Sequence, residues 1–325
     1  MFQAIWSQYF PPKPTFTEKD VPPGSQVGKV FIITGANQGI GLELVKMLYP
    51  TGATIYLAGR SQSRIEAAIQ QVASSSDSPT PATLKYLHLD LNDLTTIKAS
   101  AAAFASQEQK LDIIWNNAGI GGNPNGTTTA QKIEGHVGIN CIAPLLFTQQ
   151  LLPQLQEAAR TASSGSVRIV WTGSLAIESF SPPGGLQYEY LETGATTNSK
   201  RDYASSKAGN FFLAVEAAQR WGKFGITSVC QNPGNLLTNI YSHQPRLLML
   251  LVKLLLYEPK MGGYTMLYAG FTEEVAAEME KGNGAYVRPF GVLAPNGRRD
   301  LYEAVREGKA SEFWGWCEKI YQPYV

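Results

Sequence analysis

Short apolar runs alternate along the chain with longer stretches in which apolar residues recur at helical spacing. Short apolar runs rich in Val, Ile and Tyr are typical of strands buried in a parallel sheet. The predicted strands are Lys29–Thr34, Ala53–Ala58, Leu84–Leu89, Asp112–Trp115, Val167–Thr172, Ile226–Cys230 and Gly284–Val287. Strands at this regular spacing, with room for a helix between them, predict an α/β fold.

The intervening stretches predict helices with one apolar face. The predicted helices are Gly39–Tyr49, Ser63–Ala73, Leu94–Ser106, Val137–Ala158, Asp202–Trp221 and Arg298–Ile320. Strand and helix in alternation indicate a doubly wound parallel sheet. In such a sheet the ligand crevice lies at the carboxyl ends of the strands.

Two regions fall outside this alternation. Residues 1–28 are predicted to form a proline-rich N-terminal arm without chemistry of its own, and the pattern fades between residue 232 and Gly284. Because no second series of strands and helices follows, residues 29–325 are predicted to form a single domain.

Composition and charge narrow the classes of function. The 325 residues are 44% hydrophobic, enough for a sizeable core, and 27 Lys and Arg nearly balance 26 Asp and Glu. A net charge of +1 argues against a nucleic-acid partner. Three widely spaced cysteines, without a CxxC pair, argue against both a disulfide framework and a metal site. The N-terminus lacks the basic and apolar regions of a secretory signal, so a cytoplasmic location is expected.

The first predicted strand runs directly into a glycine-rich turn that opens a helix. Gly35 permits the tight turn, Gly39 lets the backbone approach a pyrophosphate, and Gly41 allows close packing of helix on strand. A helix N-terminus also attracts phosphate charge. Although glycines serve ordinary turns elsewhere, their place after a first strand predicts a dinucleotide site. The predicted contacts in this turn are Gly35, Asn37, Gln38, Gly39, Ile40 and Gly41.

The end of the second predicted strand favours NADP(H) as the cofactor. The residues there are Ala58-Gly-Arg-Ser61, without the carboxylate that holds the ribose 2′-OH of NAD. Arg60 is suited to pair with a 2′-phosphate, and the alternative is a solvated arginine at a helix start. After the third strand, Asp90 and Leu91 lie where a side chain reaches the adenine, although Asp90 is equally suited to be a helix N-cap.

Tyr203 and Lys207 are the candidate acid–base pair. Four residues apart on a predicted helix, they share one face, so the ammonium lies near the phenol. A phenol of pKa ~10 is a poor acid–base catalyst at neutral pH, and a neighbouring cation lowers that pKa. Tyr203 is therefore the candidate general acid in reduction and base in oxidation. Ser174, after the fifth strand, is a candidate hydrogen-bond donor to a substrate oxygen.

Together these motifs resemble the short-chain dehydrogenase/reductase family, whose fold is the Rossmann fold. The similarity covers roughly residues 28–235 and rests on the glycine turn, Asn116-Asn-Ala-Gly119, Asn140, Ser174, Tyr203-x-x-x-Lys207 and Pro233-Gly234 in that order. The resemblance implies that Asn140, Ser174, Tyr203 and Lys207 are catalytic. It also implies that Lys207 binds the nicotinamide ribose and that Asn140 supports a water relay from Lys207. An asparagine that only bends its helix is the alternative.

The same resemblance implies further cofactor contacts and an activity. Asn117, Ala118 and Gly119 would lie beside the adenosine ribose, Pro233 and Gly234 near the nicotinamide, and Thr238 at its carboxamide. The implied activity is NADP(H)-dependent hydride transfer between nicotinamide and a carbonyl or alcohol carbon. Reduction of an activated C=C bond and a non-catalytic NADP(H)-binding regulatory module are the alternatives.

Two departures from the family pattern bear on the substrate. The 29 positions from Ser174 to Tyr203 imply an inserted loop, Glu178–Arg201, that borders the substrate. A long insert at this place is similar to that of retinol-dehydrogenase-like and protochlorophyllide-reductase-like members, and the sequence as a whole resembles fungal members. The apolar segment Arg246–Tyr257 is shorter than the ~20 residues of a membrane span. A pocket lid, a contact within a homo-oligomer and a membrane-surface helix are its three interpretations. The lid interpretation predicts a bulky apolar ketone, aldehyde or alcohol as the substrate.

Overall fold

The computed structural model describes residue 6 and residues 8–237, 256–280 and 285–325. In these ranges the strands are β1 (Val30–Thr34), β2 (Thr54–Gly59), β3 (Thr83–His88), β4 (Ile113–Asn116), β5 (Val167–Thr172), β6 (Ile226–Gln231), β7 (Tyr286–Arg288) and β8 (Val292–Leu293). They form one sheet in the order β3-β2-β1-β4-β5-β6-β7-β8. Strands β1 to β7 run parallel, and β8 pairs antiparallel with β7.

The sheet is doubly wound, as the sequence predicts. From β1 the chain moves outward through β2 to β3, then returns to place β4 on the other side of β1. At that reversal Ile32 pairs with Tyr56 of β2 on one side and Ile114 of β4 on the other. Such a switch point leaves an open crevice outside the carboxyl ends of the strands.

The helices cover both faces of the sheet. They are α1 (Gly39–Leu48), α2 (Gln62–Ser74), α3 (Ile97–Ala105), α4 (Gly135–Val137), α5 (Ala143–Gln150), α6 (Leu152–Ala159), α7 (Ala176–Phe180), α8 (Tyr188–Leu191), α9 (Ser199–Trp221), α10 (Pro259–Phe271), α11 (Glu273–Glu280), α12 (Arg299–Arg306) and α13 (Lys309–Tyr321). None of the helices in the described part of the chain has the length and apolar character needed to cross a membrane.

Two hydrophobic cores lie on opposite sides of the sheet. Successive residues of a strand point to opposite faces, so Ile32 packs into one core while Phe31 and Ile33 pack into the other. Burial on both faces explains the nearly unbroken apolar runs in the sequence. Cys141, Cys230 and Cys317 are free and buried.

The predicted continuous helix Val137–Ala158 is wrong, because the chain interrupts it twice. Residues Gly138–Ile142 form a π-helical turn in which Ala143 N–H donates to Gly138 O, five residues back. Pro144 has no N–H to offer the Asn140 carbonyl at the usual spacing of four residues. Pro153 likewise cannot donate to Gln149, and the helix restarts after Leu151. Proline chemistry therefore sets both interruptions.

The C-terminal part also differs from the prediction. The expected helix Arg298–Ile320 is split into α12 and α13 at Gly308, which has φ +89°. Helix α10 was not predicted because its glycines and apolar residues surround the helix rather than forming one stripe, and eight of its residues are buried. The predicted strand Gly284–Val287 overlaps β7, and Gly284 lies outside the described residues. The same holds for all of Arg246–Tyr257 except Leu256 and Tyr257.

Candidate active site

Two cavities meet at the carboxyl edge of the sheet. The glycine-loop cavity, of about 570 Å³, has in its lining Gly35, the turn into α1, the ends of β2 and β3, and residues 117–121 and 123. The tyrosine cavity, of about 510 Å³, is lined by Ser174, Tyr203, Lys207 and the chain around Pro233. Both cavities share Ile40, Asn117, Gly119, Ile120 and Asn123. A ligand can therefore extend from one cavity into the other.

The glycine turn leaves no room for side chains where it meets β4. Gly35 has φ +67°, and a Cβ there would lie 3.0 Å from Ala118 Cα. A Cβ on Gly41 would lie 2.8 Å from Gly35 O and 2.9 Å from Asn117 Nδ2. Gly39, with φ +59°, begins α1, so the helix N-terminus opens onto the glycine-loop cavity. These positions are consistent with the predicted roles of the three glycines.

The ends of β1 and β4 are joined by hydrogen bonds. Thr34 Oγ1 accepts from Asn117 N–H at 3.0 Å and from Ala118 N–H at 2.8 Å. Asn117 Nδ2 donates to Thr34 O at 2.9 Å. These bonds hold Asn117, Ala118 and Gly119 along the wall of the glycine-loop cavity. The Asn117 side chain thus fixes the shape of the cavity.

Arg60 and Asp90 face each other at the mouth of the glycine-loop cavity. The Arg60 side chain is 70% exposed, and its Nε lies 3.9 Å from Asp90 Oδ1. Asp90 Oδ1 accepts from Asn92 N–H at 2.9 Å, while the next helical turn is capped by Asp93. The N-cap interpretation of Asp90 is therefore wrong. Leu91 is buried and lines the same cavity.

Helix α9 brings Tyr203 and Lys207 to the tyrosine cavity. Asn198 caps the helix by accepting from Arg201 N–H at 3.1 Å. Lys207 Nζ donates to Thr172 O at 3.0 Å and lies 5.6 Å from the centroid of the Tyr203 ring. Burial lowers the pKa of Lys207 to about 8. The ammonium is thus held beside the phenol on a neutral carbonyl, as the four-residue spacing predicts.

Asn140 lies in the π-helical turn, with its side-chain amide engaged on both sides. Its Nδ2 donates to Ile120 O at 3.0 Å and to Ser206 Oγ at 2.9 Å, and its Oδ1 accepts from Ile120 N–H at 2.8 Å. A Cβ on Gly119 would lie 2.8 Å from Asn140 Oδ1 and 3.5 Å from Lys207 Nζ. The side chain therefore ties the loop after β4 to α9. Asn140 does more than bend its helix.

Ser174 and the Pro233-Gly234 turn also line the tyrosine cavity. Ser174 Oγ accepts from Ala176 N–H at 3.1 Å, which leaves the hydroxyl proton for an acceptor in the cavity. Gly234 has φ +99°, and a Cβ there would lie 2.8 Å from Phe290. Thr238 lies outside the described residues.

The inserted loop borders the tyrosine cavity, as expected. Ser179, Phe180, Ser199 and Lys200 lie in its lining. The loop includes the end of α7, all of α8 and the first residues of α9.

Several residues near the site were missed by the sequence analysis. Glu134 and His136 form a buried pair, with His136 Nδ1 2.9 Å from Glu134 Oε1, and the His136 ring lies 5.9 Å from the Tyr203 ring. Burial acts to raise the pKa of Glu134, but hydrogen bonds from His136 and Thr196 outweigh it and lower that pKa. Tyr9 of the N-terminal arm also lines the tyrosine cavity. No local sequence pattern marks these positions.

Comparison with known proteins decides the family. The short chain dehydrogenase model matches residues 29–188. A short-chain dehydrogenase/reductase from Pestalotiopsis fici is 60% identical over 325 residues, covering 99% of this chain and 98% of that protein. The chain belongs to the short-chain dehydrogenase/reductase family. It is thus related to oxidoreductases that use a nicotinamide cofactor.

Two further proteins are similar to this short-chain dehydrogenase/reductase over nearly its whole length. A family member from Phomopsis amygdali is 40% identical, covering 98% of this chain and 97% of that protein. The crystal structure of an uncharacterised protein from Mycobacterium paratuberculosis superposes with a TM-score of 0.68 at 23% identity, covering 94% of this chain and 97% of that one. At that identity the structural likeness supports the fold alone.

Proposed function

We propose that this enzyme reduces a carbonyl, or oxidises the matching alcohol, on a bulky apolar substrate with NADP(H) as the hydride carrier. The observation that carries the proposal is that Ser174, Tyr203 and Lys207 line the tyrosine cavity, which shares lining residues with the glycine-loop cavity and thus forms a junction with it. Acid–base groups at such a junction are positioned to act between a dinucleotide and a second ligand.

The glycine-loop cavity fits a dinucleotide because its lining includes Gly35, residues 37–40 and the N-terminus of α1. A helix N-terminus attracts phosphate charge, which supports a bound pyrophosphate there, and the close contacts of Gly35 and Gly41 with neighbouring backbone keep the turn compact. Arg60, exposed at the cavity mouth, is the candidate partner of a 2′-phosphate. When bound, NADPH supplies the hydride. The residues proposed to hold it are Gly35, Asn37, Gln38, Gly39, Ile40, Gly41, Arg60, Asp90, Leu91, Asn117, Ala118, Gly119, Tyr203, Lys207, Pro233, Gly234 and Thr238.

The chain's own residues handle the proton. In reduction, the Tyr203 hydroxyl donates its proton to the carbonyl oxygen while the Ser174 hydroxyl donates a hydrogen bond to the same oxygen. Lys207 stabilises the resulting phenolate as a cation 5.6 Å from the ring centroid. The Asn140 carbonyl, to which Pro144 has no N–H to offer, is then an acceptor for a water that returns a proton through Lys207.

The lining of the tyrosine cavity supports an apolar substrate body. Tyr9, Ile120, Leu175, Phe180 and Leu236 contribute apolar surface around a volume of about 510 Å³. A cavity of this size is in the range that holds drug-sized ligands. A ketone, aldehyde or alcohol with a bulky apolar body therefore fits better than a small polar carbonyl.

The test is a titration with NADPH and NADH followed by turnover on a panel of apolar ketones, aldehydes and enones, with small polar carbonyls included for comparison. We expect NADPH to bind more tightly and to be consumed with apolar carbonyls. Tyr203→Phe should lower kcat by roughly 10³-fold while NADPH binding survives, because the change removes the transferable proton and at most one of the many proposed cofactor contacts.

Tyr190→Phe is the matched control, since Tyr190 lies on Arg201 and outside the tyrosine cavity. It should keep full turnover. Tighter binding of NADH would overturn the role of Arg60, and a preference for small polar carbonyls would overturn the substrate class. If enones gave saturated ketones, the activity would be reduction of the C=C bond rather than of the carbonyl.

A further inference from the structure

The N-terminal arm folds back onto the tyrosine cavity. Phe10 N–H donates to Trp6 O at 3.0 Å, which closes a single helical turn. From this turn Gln8 is only 1% exposed, and Tyr9 lines the tyrosine cavity. By contrast, Trp6 and Phe10 are about half exposed, at 56% and 50%. One turn thus presents two residues to the protein interior and two aromatic rings to solvent.

The Gln8 side chain is fixed by partners from two distant segments. Its Nε2 donates at 2.7 Å to Oε1 of Glu178, a buried residue of α7. Its Oε1 accepts from Asn232 Nδ2. Asn232 immediately precedes the Pro233-Gly234 turn of the tyrosine cavity, and its Oδ1 accepts from Gly234 N–H at 3.1 Å. Gln8 therefore joins the arm to both sides of the cavity.

Tyr9, which lines the tyrosine cavity, is held through its backbone. The Tyr257 hydroxyl donates to Tyr9 O at 3.1 Å. Tyr257 itself pairs with Leu236, another lining residue, and packs edge-on against Phe290 with ring centroids 5.0 Å apart. Tyr257 thus connects two parts of the cavity lining, the arm at Tyr9 and the chain after β6 at Leu236.

We propose that the N-terminal arm is a specificity element of the substrate site. Tyr9 limits the size of the substrate body, and Gln8 holds Tyr9 in position. The proposal rests on the proposed function, in which the tyrosine cavity takes an apolar carbonyl substrate. The lining position of Tyr9 supports a direct contact with the substrate body. The buried hydrogen bonds of Gln8 support a fixed position for the ring.

The experiment compares Tyr9→Ala with Phe10→Ala in the full-length enzyme. Both changes remove an aromatic ring from the same turn, but only Tyr9 lines the cavity. With a series of alkyl and aryl ketones of increasing size, Tyr9→Ala should raise KM for small members about 10-fold and shift the preference toward larger ones. Phe10→Ala should leave the profile unchanged, and both variants should keep the wild-type NADPH Kd.

Binding of anilinonaphthalene sulfonate provides a readout that does not need turnover. Tyr9→Ala should change the Kd of this apolar probe at least 3-fold, and Phe10→Ala should not. Equal effects of the two variants on KM profile and probe binding would overturn the proposal, as would a loss of NADPH affinity as large as the change in KM. If wild-type enzyme turns over no carbonyl, the proposed function fails, and the probe still decides whether Tyr9 forms the wall.

Discussion

The two cavities differ in how far apart along the chain their walls originate. Apart from Leu237 and Pro259, the glycine-loop cavity is built from residues 35–139, mostly from the turns that follow consecutive strands. The tyrosine cavity draws on Tyr9 at one end and Leu236 at the other, with several segments between. Local turns leave recognisable motifs, whereas a wall assembled from distant segments leaves none. The cofactor side is thus readable from sequence, and the substrate side requires the structure.

Lys207 is proposed to act on both the cofactor side and the substrate side of the site, so we expect its replacement to have the largest effect on activity. Lys207→Met removes the cation beside Tyr203, so kcat should fall by roughly 10²–10⁴-fold. The same change relieves the cost of burying a charge, because burial lowers the pKa of Lys207 from 10.5 to about 8. The free energy of unfolding should therefore rise by about 1–3 kcal/mol at pH 7. Steady-state kinetics and denaturant unfolding measure the two effects.

The pH dependence checks the sign of that stabilisation. A cation whose pKa is lowered on folding binds fewer protons than in the unfolded chain between the two pKa values, so wild-type stability gains with rising pH from about 8 to 10.5. The advantage of Lys207→Met should be full below pH 8 and shrink across this window. An advantage that stays constant with pH would contradict a buried ammonium at this position.

Gly41→Ala should damage the glycine-loop cavity more than the tyrosine cavity. The added Cβ would lie 2.8 Å from the Gly35 carbonyl, which is backbone and cannot rotate away. Overpacking of this kind costs about 1–3 kcal/mol, so NADPH affinity should fall up to about 100-fold. Probe binding in the tyrosine cavity should persist, which would separate the two halves. Gly315→Ala is the control, because a Cβ there meets nothing within 4 Å.

The glycine turn and the Tyr203–Lys207 spacing were predictable because each is a local pattern with a physical purpose. Helix interruptions were not, although Pro144 and Pro153 carried a signal that the apolar periodicity masked. Gln8 could not be predicted, since its partners Glu178 and Asn232 lie 170 and 224 residues away. From the sequence alone, a glutamine in a proline-rich arm is expected to be exposed to solvent, and only the structure shows that it is buried.

Arg60→Ala tests whether the cofactor half also sets the choice between NADPH and NADH. Loss of one exposed charge-assisted contact to a 2′-phosphate should weaken NADPH about 10-fold and leave NADH unchanged. Arg160→Ala is a suitable control, because the two side chains are similarly exposed, at 70% and 75%. Fluorescence titration of both cofactors gives the ratio, and an equal loss for NADH would show that Arg60 does not contact the 2′-phosphate.

The smallest effect is expected for single hydrogen bonds, and here a glutamine–glutamate pair of the substrate side is compared with one of the cofactor side. Gln8 Nε2 and Gln62 Nε2 both donate to a glutamate oxygen at 2.7 Å, the first buried on Glu178 and the second exposed on Glu66. Double-mutant cycles with alanine, followed by denaturant unfolding, should give about 1–2 kcal/mol of coupling for Gln8–Glu178 and under about 0.5 kcal/mol for Gln62–Glu66. The difference follows from burial, because a buried carboxylate that loses its donor is left without water to replace it. Equal coupling would mean that the Gln8–Glu178 hydrogen bond does not fix the arm to the tyrosine cavity. The wall of the substrate side would then not depend on this contact between distant segments.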